Sequence, residues 1–171
     1  MSDFLIQEKP FGSSPKTIVK DHNGQPLYLL TGRLGDLGSR LTLYDMNGRS
    51  IAYIKKDRLA FVRRFEIYEN DKKVGTMQHF LNWPNDFYYI SQLHWMAHGN
   101  IYQHEYRVNH FTNQIMRMSK TRLMMGDHYQ LQVNDDRNAA KCICIASVLD
   151  YWSYNRERSQ PTYYNEVLDI T

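Results

Sequence analysis

No stretch of this chain approaches the roughly 20 consecutive apolar residues that a membrane-spanning helix needs. The opening segment MSDFLIQEKPF also lacks the basic start and long apolar core of a secretory signal. These two absences predict a soluble, cytoplasmic protein without a transmembrane segment. Cysteine is nearly absent as well. Only Cys142 and Cys144 occur, and two positions apart on a helix their side chains point about 200° apart, so they neither pair nor share one metal. Buried free thiols fit a reducing compartment. Charge of one sign is scarce: 21 Lys and Arg against 18 Asp and Glu leave a net +3. That falls well short of the basic stripe of a nucleic-acid binder, and no nucleic-acid partner is expected.

Catalytic signatures are missing too. There is no GxSxG elbow, no GxxxxGK[ST] loop, no GxGxxG leading into a helix, no HExxH and no CxxC. The glycine-rich piece TGRLGDLGSR, Thr31 to Arg40, joins one strand to another, so it offers no helix N-terminus to a phosphate. Seven histidines are present, with His94, His98, His104 and His110 close in sequence. On a strand His94 and His98 share a face but stand about 13 Å apart, too far to hold one metal. The expectation is a non-enzyme with no catalytic residues, no metal and no cofactor.

What the chain does have is apolar residues in two patterns. With 171 residues, 42% of them hydrophobic and 13% aromatic, it has the size and composition of one folded domain. The run NAAKCICIASVLDYW, Asn138 to Trp152, has helical length but no polar face. At about 100° per residue, Ile143, Ile145, Val148, Leu149 and Trp152 spread right around the axis, as in a helix buried on every side. Asp135, Asp136 and Asn138 supply its entry. The predicted helix covers roughly residues 138–153 of a single domain spanning 1–154, and 155–171, broken by Pro161, is read as a polar C-terminal extension.

Everything before that helix is short and alternating. TIVK and PLYLLTG flank Asp21-His22-Asn23-Gly24, and RLTLY and SIAYIKK flank Asp45-Met46-Asn47-Gly48. A DxNG between apolar runs marks a hairpin, since Asn and Gly accept the positive φ of tight turns. RFEIY and KVGTMQHF repeat the unit around Asn70-Asp71, and EYRVN and QIMRMSK repeat it more faintly around His110 to Asn113. With FYYIS, WMAH and HYQLQV the total reaches about twelve strands, the number of an antiparallel barrel. Phe65 and Ile67, Tyr106 and Val108, and Tyr129, Leu131 and Val133 alternate with polar residues, so one face of the sheet is apolar. The fold class predicted is mainly β, a closed barrel lined by these residues and filled by the apolar helix.

YDMNGRSIAYIKK (Tyr44 to Lys56), RRFEIY (Arg63 to Tyr68), HEYRV (His104 to Val108), DHYQLQV (Asp127 to Val133) and the terminal apolar helix together resemble the LURP-one-related family, in its bacterial YxjI-like form. The resemblance runs in order from about Thr17 to Trp152. It implies a tubby-like, twelve-stranded barrel around a central helix, related to the tubby C-terminal domain and the phospholipid scramblases. Tubby-like domains bind phosphoinositide headgroups on the outer barrel surface. No tubby lipid-site motif is matched position by position, so no binding residue is carried over. The chain also lacks the Pro-rich region, cysteine cluster and terminal span of the scramblases, which leaves a scramblase-related lipid function as an alternative of lower weight.

One surface stretch combines charge with an apolar tip. KKDRLAFVRR sets Lys55, Lys56, Arg58, Arg63 and Arg64 around Leu59, Phe61 and Val62. Such a connection suits an anionic lipid surface or an acidic protein partner, each cation contributing about 1 kcal/mol near anionic lipid; its plain alternative is a solvated turn capping the barrel. The competing architecture is a lipocalin-like carrier of a small apolar ligand, but that barrel keeps its amphipathic helix outside and its interior empty. The reading is a binding or adaptor module acting through its outer surface.

Overall fold

The computed structural model describes residues 1–7, 16–34, 40–57, 64–81, 86–100, 103, 105–123 and 126–159. Strands β1 (Ser2–Gln7), β2 (Lys16–Asp21), β3 (Pro26–Gly32) and β4 (Arg40–Asp45) are followed by β5 (Ser50–Lys56), β6 (Arg64–Glu69), β7 (Lys72–Leu81) and β8 (Asp86–Ser91). Then come β9 (Trp95–Asn100), β10 (Glu105–His110), β11 (Asn113–Leu123) and β12 (Gly126–Val133). A short 3-10 turn, Asp136–Asn138, leads into helix α1 (Ala139–Ser159). Each strand pairs antiparallel with its sequence neighbours, and β1 closes the ring on β12, with Phe4 opposite Leu131 and Ile6 opposite Tyr129.

The two DxNG turns are copies of each other. Asp21 Oδ1 accepts from the backbone N–H of Asn23 and Gln25 at 2.9 and 2.8 Å, and Asp45 Oδ1 accepts from Asn47 and Arg49 at 3.0 and 2.9 Å. Gly24 and Gly48 take φ of 81° and 83°, a conformation that costs glycine nothing. Asn70 and Asp71 turn the third hairpin with positive φ at both positions, the geometry whose twist suits a two-residue connection.

The alternation sorts side chains as expected. Ala52 and Ile54, Phe65 and Ile67, Tyr106 and Val108, and Tyr129, Leu131 and Val133 are buried and face inward. Against them lies α1. Nine consecutive residues, Lys141 to Leu149, are buried, and at about 100° per residue nine positions leave no direction facing water. Ile143, Ile145, Val148, Leu149 and Trp152 all belong to this core. The interruptions are satisfied where they stand: Ser147 Oγ donates to the Ile143 carbonyl at 2.8 Å, and Lys141 Nζ donates to Glu69 Oε2 at 2.8 Å and to the Arg137 carbonyl at 3.3 Å.

The two ends of the barrel differ. The tight connections after β2, β4, β6, β8 and β10 all lie at the end where α1 enters. The strand ends Gln7, Gly32, Lys56, Leu81, Asn100 and Leu123 lie at the other, where α1 leaves past Trp152. Ala139 to Trp152 spans about 20 Å along a helix axis, the length of a six-residue strand, so the apolar run matches the barrel height. The helix does not stop near residue 153 as expected from the sequence. It continues to Ser159 because nothing before Pro161 forbids it, and the residue preceding a proline is the one disfavoured in helical conformation. Residues 160–171, the rest of the expected extension, lie outside the described residues.

Candidate functional site

The basic stretch singled out in the sequence sits at the exit end, where β5 hands over to β6. Lys55 lies directly opposite Glu66, and Lys56 opposite Phe65. Because Ile54 and Phe65 face inward, Lys55 and Glu66 point outward and Lys56 takes the inward phase at the rim. Arg64 is outward, its Nε donating to Gln78 Oε1 at 3.1 Å across the β6–β7 pair. Arg58 and Arg63 lie outside the described residues.

Lys55 is held rather than loose. Its ammonium is 3.3 Å from Glu66 Oε2 and 4.8 Å from the Tyr68 ring centroid. Tyr68 first, and Glu66 second, keep the lysine above its ordinary pKa. Glu66 also accepts from Lys73 Nζ at 2.6 Å and from the Tyr68 hydroxyl at 3.2 Å. The Lys73 bond, more than the Lys55 and Tyr68 bonds, keeps its carboxyl below the ordinary carboxylate value against the opposing effect of burial. One carboxylate is thus shared by two ammonium groups, and the trio keeps a net positive charge. Tyr68 stacks on Tyr53 with centroids 4.6 Å apart, and the Arg40 guanidinium lies 5.0 Å over the Tyr53 ring. Arg40 is directly opposite Lys55, a like-charge pairing that costs stability unless aromatic or anionic groups screen it.

Arg40 is the residue that sequence reasoning left out. It closes the glycine-rich connection in the linear chain, and only the β4–β5 register brings it beside Lys55. Phe80 on β7 is a second omission: it is an exposed aromatic on the neighbouring strand, indistinguishable in sequence from the buried aromatics around it. Among the described residues the exit end carries Lys16, Arg33, Arg40, Lys55, Lys56 and Arg64 against Asp57, Glu66, Glu105 and the buried Asp86. The entry end carries Asp3, Asp21, Asp45, Glu69, Asp71, Asp135 and Asp136 together with Lys20, Arg49, Lys72, Lys73, Arg137 and Lys141. The entry end is therefore close to balanced, and the exit end holds a modest excess of cations among the described residues.

Inside the exit rim, Trp152 stacks on Tyr88 at 4.6 Å and meets Phe65 edge-on at 5.1 Å, and the His79 ring lies 5.7 Å away. His79 Nε2 is 3.2 Å from Asp86 Oδ1. These contacts form a packed aromatic seal around the departing helix. The other histidines are dispersed. His94 is not on a strand but in the β8–β9 turn, at φ 53°, with Nδ1 2.9 Å from the Tyr89 hydroxyl. His98 lies on β9 beside Asn109, and the His110 ring lies tilted against Phe111 at 4.7 Å; His104 lies outside the described residues. Among the described residues no three His, Cys, Asp or Glu gather in a metal-binding arrangement. Cys142 and Cys144 are buried and unpaired. Burial raises both thiols, that of Cys144 to about 12, which removes the thiolate that nucleophilic chemistry would need. No helix among the described residues is long and apolar enough to cross a membrane.

Comparison with known proteins agrees with this architecture. A family model described as LURP-one-related matches residues 2–150. The uncharacterized protein YxjI of Bacillus subtilis (strain 168) is 27% identical over 157 residues, covering 92% of this chain and 97% of that protein. Among solved structures, the X-ray structure of a protein from Arabidopsis thaliana aligns with a TM-score of 0.58 over 87% of this chain and 91% of that one, at 13% identity. At that identity the likeness is one of fold alone.

Proposed function

This chain belongs to the LURP-one-related family, and on that premise we propose that it is a non-enzymatic binding module whose outer surface at the exit end docks on anionic lipid headgroups. The observation that carries the reading is the filled lumen. A barrel whose interior is taken by nine consecutive buried residues of its own helix leaves a partner only the outside and the rims. That weighs against the lipocalin-like carrier, which needs an empty interior. On the outside, Arg40, Lys55 and Arg64, with Lys56 at the rim, supply the sign that an anionic surface attracts. Buried free thiols support a cytoplasmic setting.

Flotation of the purified protein with phosphatidylcholine vesicles, with and without phosphatidylglycerol, tests the proposal. Binding confined to the anionic vesicles and weakened by salt is expected. Equal failure to float with both would refute it.

A further inference from the structure

β7 carries one residue too many where it pairs with β8. His79 stands opposite Tyr88 and Leu81 opposite Phe87, so Phe80 has no partner in the register. A bulge of this kind bends its strand and re-aims the extra side chain, and such bulges concentrate at barrel rims and beside functional sites. Here it leaves a phenyl ring 56% exposed, with the edge of Tyr89 on one side at 6.4 Å between centroids and water on the other.

A single exposed apolar side chain needs no explanation by itself. Its company is what matters. Phe80 lies two positions beyond Gln78, the residue that holds the Arg64 guanidinium, and Arg64 borders the Lys55 and Arg40 array on the same outer face. An apolar ring with cations beside it matches the layered chemistry of a membrane interface, where acyl chains begin just below the phosphates. The exposed ring and the cations beside it lie at one end, so together they orient the barrel with its exit end toward such a surface.

We propose that Phe80 is the anchor of the exit end on an anionic bilayer, its ring entering the headgroup–acyl boundary while Arg64, Lys55 and Arg40 meet the lipid phosphates. The inference rests on the lipid-docking reading above and adds the side chain that inserts and the orientation of the barrel.

The buried native thiols make the experiment direct, since a cysteine placed at the surface is the one that reacts. Phe80→Cys is labelled with an environment-sensitive fluorophore and mixed with phosphatidylcholine vesicles that contain or lack phosphatidylglycerol. The emission is expected to shift to the blue, and to be quenched by doxyl-labelled lipid, only with the anionic vesicles. The same label on Thr112→Cys at the entry end is expected to stay in water. Unlabelled Phe80→Ser is expected to bind the anionic vesicles about ten-fold more weakly while melting as the native protein does. Flotation of the native protein with a water-exposed label at position 80, or native-like binding by Phe80→Ser, would overturn the anchor and leave the lipid-docking reading standing. Failure of the native protein to bind either vesicle would remove both. A response to soluble polyglutamate but to neither vesicle would overturn the bilayer in favour of an acidic protein.

Discussion

Ile145 lies in the middle of α1 with its side chain wholly removed from water, and its replacement tests whether the helix is the core of the barrel or a dispensable strut. Truncation to alanine deletes buried methyl and methylene groups and leaves a cavity that a closed sheet of hydrogen-bonded strands cannot collapse around. Such changes cost about 2–5 kcal/mol. For a chain of this size each kcal/mol corresponds to about 2–4 °C of melting temperature, so Ile145→Ala is expected to melt roughly 4–20 °C below the native protein. Ile145→Asp goes further, because it places a carboxylate in the buried apolar core. Its cost is comparable with the roughly 5–15 kcal/mol that holds a whole domain together. Circular dichroism melts read both variants, with Ile18→Ala as the reference, since Ile18 is on the outer face and 44% exposed and its loss is expected to change stability by less than about 0.5 kcal/mol. An Ile145→Asp protein that remains soluble and melts cooperatively near the native temperature would refute the enclosed helix.

Three further outcomes follow from the geometry. The raised thiols of Cys142 and Cys144 stay protonated in the fold while the unfolded chain ionises near pH 8.5, so the native state retains protons that the unfolded state loses. Stability is then full below that pH and falls above it, by up to about 1.4 kcal/mol per pH unit per thiol, and replacing both cysteines by alanine is expected to flatten this alkaline limb in urea titrations. Lys141→Met leaves the Glu69 carboxylate without its 2.8 Å partner inside the rim, with an expected loss of about 1–3 kcal/mol by denaturant melting that Glu69→Gln in the same chain partly restores. Gly32→Ala places a Cβ 2.1 Å from the Arg40 carbonyl oxygen at a φ of +108°, and a loss of about 2 kcal/mol or more, measured by urea unfolding, is expected as the β3–β4 pairing opens.

Local chemistry is legible in the sequence. The Asp21 and Asp45 turns declare themselves because a carboxylate accepting two backbone N–H groups and a glycine at positive φ are properties of four or five adjacent residues. The helix declares itself because apolar residues in every direction have few uses in a protein. Closure of the ring was an inference from strand number, and the structure realises it through the β1–β12 pairing. What stayed hidden depends on which strands meet and in what register. Arg40 joins Lys55 only through β4–β5 pairing, Glu66 divides its charge between Lys55 and Lys73 only through β5–β6–β7 order, and the slip at Phe80 exists only relative to β8. His94 misled for the opposite reason: its spacing from His98 suggested one strand, whereas the chain reverses between them and Ile90 in the turn Gln92 to His94. Polarity after Trp152 suggests an early end to α1, whereas the helix simply becomes polar where it leaves the barrel.

The closure of β1 on β12 has a consequence for how the protein comes into being. Phe4 and Leu131 are neighbours in the sheet although 131 − 4 = 127 positions separate them, and the side chains that fill the space between the strands are synthesised later still. During translation the hairpins emerge in order, each with an apolar face and nothing to place against it. Contacts this distant in sequence form slowly, and chains that wait for them expose adhesive surface meanwhile. Ile143 to Trp152, made after every strand, are therefore the residues that turn a row of hairpins into a protein.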